Sequence, residues 1–115
     1  MSSSYEVTKI EKDGDYVSIT ITVNEDGSLR IFDHSFGPSA DLFYGEDRDV
    51  EHWLDLDNTA VQKLLTALTG EVTPTAADDL ARLLAKSYAG QNLALRSIME
   101  LCDEKMVEYK EGLWT

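Results

Sequence analysis

Basic side chains, cysteine and proline are scarce in this chain. One cysteine among 115 residues, Cys102, forms no internal disulfide, which fits a reducing compartment such as the cytosol. Wholly apolar runs extend only a few residues, far short of the roughly 20 that a membrane-spanning helix needs. The stretch Met1-Ser2-Ser3-Ser4-Tyr5-Glu6 has neither a basic region nor an apolar one, so no secretory signal is expected and the reading is cytoplasmic. Phosphate-cradling G-x-G-x-x-G and G-x-x-x-x-G-K-[ST] loops are missing, as are a G-x-S-x-G nucleophile turn, an H-x-x-x-H pair and a D-x-D-x-D-G calcium loop. These absences leave no motif that dictates a chemistry.

Ten bases stand against twenty-two acids, for a net charge of −12. Residues 1–57 carry fourteen acids and four bases; residues 58–115 carry eight and six. The segment from Asp33 to Asp57 holds Asp33, Asp41, Glu46, Asp47, Asp49, Glu51, Asp55 and Asp57 against Arg48 alone. A field of that sign repels nucleic acid and anionic lipid, so neither is expected as a direct partner. It favours solubility, and it would speed encounter with a basic protein.

The first half reads as strands. Tyr5–Lys12 is a polar strand, and Asp13-Gly14 supplies the positive φ of a tight hairpin turn. Tyr16–Val23 alternates strictly, with Val17, Ile19, Ile21 and Val23 on one face and Tyr16, Ser18, Thr20 and Thr22 on the other. After the turn Asn24-Glu25-Asp26-Gly27, Ser28–Ser35 forms a third strand with Leu29 and Ile31 toward the core. Gly37–Asp47 reads as a loop anchored by Leu42-Phe43-Tyr44. Asp49–Asp57 is a fourth strand, with Val50, His52, Leu54 and Leu56 on one face and Glu51, Trp53 and Asp55 on the other.

The second half reads as helices. Asp57 or Asn58 caps the first, whose stripe is Val61, Leu64, Leu65 and Leu68 and whose end is Gly70. Thr75 opens the second, close to a capping box, with Asp78 and Asp79 in its first turn and Leu80, Leu83 and Leu84 inward. The third runs from about Asn92 to Lys105, with Leu95, Ile98, Met99 and Cys102 on one face. Met106–Trp114 alternates again and is expected to return to the sheet. The order implies one α+β domain over residues 1–115. Four N-terminal strands and a C-terminal strand form an antiparallel sheet, with three helices packed on one face.

Chemistry-bearing residues are few. Cys102 lies on an apolar helix face and reads as a buried, inert thiol. Asp33, His34, His52, Asp55 and Asp57 are the candidates for a metal, but His52 shares a face with Val50, Leu54 and Leu56 and reads as a core-edge histidine with one hydrogen-bond partner. No metal or cofactor is expected. Carboxylate pairs arise by chance among so many acids, so the chain does not read as an enzyme. The informative arrangement is aromatic. Trp53 shares a face with Glu51 and Asp55, and Phe32 lies opposite Leu29 and Ile31 between Arg30 and His34. Aromatic anchors ringed by charge are the composition of interaction hot spots. The candidate partner-binding residues are Phe32, Tyr44, Asp47, Asp49, Glu51, Trp53 and Asp55. The competing reading makes Trp53 core, with helices on that face as well.

The run Leu42-Phe43-Tyr44-Gly45-Glu46-Asp47, the run Glu51-His52-Trp53-Leu54-Asp55-Leu56-Asp57 and then Leu64-Leu65-Thr66-Ala67-Leu68 resemble small acidic bacterial proteins encoded beside secreted toxins. The ending, Met99-Glu100-Leu101-Cys102 with Val107-Glu108-Tyr109 and Leu113-Trp114, resembles their helix-then-aromatic-strand finish. These are immunity proteins of contact-dependent inhibition and related polymorphic-toxin systems. The resemblance implies no catalytic residues. It implies a protein partner, a basic toxin domain, that is bound and neutralised. A structural or interaction module, homodimeric in one form, is the alternative.

Overall fold

The computed structural model describes residues 3–38 and 49–114. Its elements are β1 (Ser3–Lys12), β2 (Asp15–Val23), β3 (Leu29–Phe36), β4 (Val50–Leu56), α1 (Asn58–Thr69), α2 (Ala76–Ser87), α3 (Ala94–Glu104) and β5 (Lys110–Trp114). All strand pairs are antiparallel and the sheet order is β1-β2-β3-β4-β5. The expected α+β architecture is the one observed. The expected loop at 37–47, with Leu42-Phe43-Tyr44, lies almost wholly outside the described residues.

Local chemistry sets the register. Asp13 and Gly14 both have positive φ, 54° and 84°, so Lys12 and Asp15 close a two-residue hairpin. At the next turn Gly27 takes φ 83°, and Asp26 Oδ1 accepts hydrogen bonds from the Ser28 N–H (2.9 Å) and hydroxyl (2.6 Å). The alternation of β2 then fixes one inward face: Ile19, Ile21 and Val23, continued by Leu29 and Ile31 on β3 and by Leu54 and Leu56 on β4. Onto it pack Val61, Leu64 and Leu65 of α1, Leu80 and Leu84 of α2, and Leu95, Ile98 and Cys102 of α3. Every strand residue of the buried cluster belongs to this face, so α1, α2 and α3 all pack on one side of the sheet.

Three local expectations change. A β-bulge at Val7 lets both Val7 and Thr8 turn inward. The α2–α3 connection holds it, with the Gly90 N–H donating to Val7 O (2.9 Å) and the Thr8 hydroxyl to Gln91 O (2.7 Å). Asp57 caps α1 by accepting from Ala60 N–H at 2.8 Å, but no capping box forms on α2. There the Thr75 hydroxyl donates instead to Asp79 Oδ2 (2.9 Å), alongside the Thr73 hydroxyl (2.7 Å). The last strand begins at Lys110, not Met106. Met106 at φ 59° ends α3 in a Schellman motif, with Val107 N–H donating to Cys102 O (2.8 Å) and Met106 N–H to Asp103 O (3.2 Å), and Val107 then drops into the core.

Candidate interaction surface on the outward sheet face

The register places the outward side chains in rows. Thr20, Phe32, Trp53 and Gly112 form one row across β2 to β5. Ser18, His34, Glu51 and Trp114 form the row beside it, and Tyr16 and Phe36 the next. Thr22, Arg30, Asp55 and Lys110 form the row on the other side of Trp53. Five aromatic rings and an imidazole thus share the face opposite α1, α2 and α3.

Trp53 is half-buried, held by groups of its own sheet. The Arg30 guanidinium carbon lies 5.5 Å from the indole centroid, and Arg30 is fixed by a two-pronged ion pair to Asp55, Nε–Oδ1 2.8 Å and Nη2–Oδ2 2.9 Å. That carboxylate raises the guanidinium pKa above its ordinary value. On the other side the indole lies directly on the Gly112 backbone: a Cβ there would come within 2.0 Å of Trp53 Cε2. A second cluster lies at the β2–β3 end. Tyr16 and Phe36 stack with centroids 4.8 Å apart at 10°, and His34 approaches Tyr16 edge-on at 5.7 Å.

Of the sequence candidates, Phe32, Glu51, Trp53 and Asp55 come together on this face, and Phe32 and Trp53 are direct cross-strand neighbours. Asp49 is exposed just before β4. Tyr44 and Asp47 lie outside the described residues. Tyr16, His34, Phe36 and Trp114 were not among the candidates; the parity of β2 and β3 carries a signal for the first three. Among the described residues, the acids of the Asp33–Asp57 segment do not form one surface. Asp55 is neutralised by Arg30, Asp57 caps α1, and Asp33 points to the helix side. Burial pushes the Asp33 carboxyl pKa up, opposed by the Ser35 hydroxyl that donates to it at 2.5 Å and by His52, His34 and Arg96. Glu6, Lys9, Glu11 and Lys110 join the outward set, so its charge is of both signs.

Strand alternation also divides the metal candidates. Asp33 and His52 face the helices, while His34 and Asp55 face away. His52 is 5% exposed and its Nε2 lies 2.7 Å from Glu111 Oε1. Among the described residues no three His, Cys, Asp or Glu side chains gather to hold a metal. Cys102 is buried, and that burial pushes its thiol pKa up to about 11, which suppresses the reactive thiolate.

The fold assembles one feature the sequence hides. Asp26, Asp55, Asp57, Asp103 and Glu108 line a groove of about 1020 Å³ at the end of the sheet, bordered by Arg30 and Lys110. Four of these carboxylates already accept hydrogen bonds from the protein: Asp26 from Ser28, Asp55 from Arg30, Asp57 from Ala60 N–H and Asp103 from the Tyr109 hydroxyl. No helix is long and apolar enough to cross a membrane among the described residues. Comparison with protein-family models, curated proteins and solved structures finds no match.

Proposed function

We propose that this is a non-catalytic binding protein of the immunity class, which docks a cognate basic toxin domain on the sheet face opposite α1, α2 and α3. The observation that carries the reading is the cross-strand Phe32–Trp53 pair on the sheet face opposite α1, α2 and α3, continued by Tyr16, His34, Phe36 and Trp114. A half-buried tryptophan stiffened by Arg30 and Gly112 loses little side-chain entropy on binding, and a sheet face presents its anchors on a rigid platform. The net charge of −12 supports rapid encounter with a basic partner, while the desolvated aromatics would govern dissociation. The same charge argues against direct binding of nucleic acid.

Affinity capture from the source bacterium at low and then moderate salt tests this. The expected result is one basic protein retained at both, whose association rate falls as salt rises and falls further in the Glu51→Lys variant. Retention of nothing, or of partners whose association ignores both salt and Glu51→Lys, would remove the electrostatic half of the proposal.

A further inference from the structure

The two edges of the sheet differ. β1 is guarded: its bulge at Val7 breaks the ladder, the α2–α3 connection takes the Val7 carbonyl, and Glu6, Lys9, Glu11 and Lys12 line it with charge. These are the devices by which proteins discourage edge pairing. Among the described residues, β5 has neither a bulge nor a covering connection, and its charges, Lys110 and Glu111, lie at one end. It runs Lys110 to Trp114 in unbroken register with β4, without proline or bulge. Among the described residues, no backbone hydrogen bond other than those to β4 is made by it. Leu113 and Trp114 are 51% and 58% exposed there. An edge with unbroken register, no covering connection and exposed apolar side chains is a template for another strand.

The sequence of β5 is complementary to itself. We infer that β5 pairs with β5 of a second copy, antiparallel about a two-fold axis at Gly112, joining two five-stranded sheets into one. In that register Lys110 lies opposite Trp114 of the second copy, twice, a cation–aromatic pair on the outward face. Glu111 lies opposite Leu113 of the second copy, so no like charges meet across the joint. Gly112 meets Gly112, and its missing side chain leaves room for the Trp53 indole that already rests on it. The contact is isologous and closes as a dimer. The joint runs along the edge of the aromatic face, shares Trp114 with it, and leaves that face continuous across both copies.

Sedimentation velocity from micromolar to millimolar protein, at moderate salt, tests the inference with four exposed-site variants. The wild type should pass from monomer to dimer. Trp114→Lys, which sets two lysines opposite each other, should dissociate the dimer about tenfold more readily than Trp114→Glu, which sets a carboxylate opposite Lys110. At the next position the sign should reverse, with Leu113→Glu weakening the dimer and Leu113→Lys keeping it. A net-charge effect cannot produce opposite signs at adjacent residues. Melting of each variant at micromolar concentration checks that the monomer still folds. A wild-type chain that stays monomeric throughout, or a dimer whose variants do not follow this alternation, would overturn the proposal.

Discussion

Gly112→Ala places a methyl group where the Trp53 indole lies. The new Cβ would fall 2.0 Å from Cε2 and 2.3 Å from both Cζ2 and Nε1, so the ring must leave its seat. In leaving, it gives up its contact with the β5 backbone and its position under Arg30 at 5.5 Å. Overpacking of this kind costs about 1–3 kcal/mol, and the lost cation–aromatic contact adds about 0.5–1 kcal/mol at such an exposed site. We expect Gly112→Ala to destabilise the protein by about 2 kcal/mol in urea unfolding, with the Trp53 emission shifted to the red. Once Trp53 is itself alanine, the methyl has nothing to displace. In that background Gly112→Ala should be neutral or stabilise by about 0.5 kcal/mol through the unfolded chain. The coupling between the two sites should therefore be about 2 kcal/mol. A Gly112→Ala variant as stable as wild type, or the same loss in both backgrounds, would refute the placement of the indole on β5.

Three further outcomes follow from the packing. Ile19→Ala, at a side chain with 0% exposure in the centre of the core, should cost about 2–5 kcal/mol by chemical denaturation. Met106→Gly should raise the melting temperature, a gain of about 0.5–1 kcal/mol, because Met106 sits at φ 59° and is 79% exposed. Asp33→Asn should stabilise the protein at neutral pH. Burial raises the Asp33 pKa on folding, so its ionisation destabilises the folded state above that pKa and the penalty fades as pH falls through it. The wild type should approach the variant's stability on acidification, and a variant less stable at neutral pH would contradict that sign.

Much of the sheet is legible in the residues themselves. The strict alternation of β2 and β4 gives the inward face, and the two turns give antiparallel neighbours. The same parity puts Phe32 and Trp53 on one face before any coordinates are known. The bulge at Val7 is not legible, because period two from Tyr5 leads to Val7, Lys9 and Glu11, whereas the structure resets to Thr8 and Ile10. Its cause is a long-range one, the hydrogen bonds from the α2–α3 connection. The start of β5 was misplaced for a local reason: Met106-Val107 continues the alternation, but a left-handed helix exit spends those residues on the cap. The acidic segment misleads because charge counted along the chain ignores direction. Asp33, Asp55 and Asp57 belong to one acidic stretch of sequence yet face the helices, an arginine and a helix N-terminus respectively. The acidic groove at the sheet end, joining Asp26 to Asp103 and Glu108, depends on the docking of α3 and has no signature in sequence.

The central claim is that the sheet face around Trp53, opposite α1, α2 and α3, is the docking surface. The measurement that meets it most directly is the affinity of the captured basic partner for wild type and for Trp53→Ala, with melting of the variant alone as the control for folding. Removal of a central aromatic anchor costs about 2 kcal/mol or more of binding, so the account predicts an affinity about thirtyfold weaker, mostly through faster dissociation, in a variant that remains folded. Equal affinity for the two proteins would contradict it.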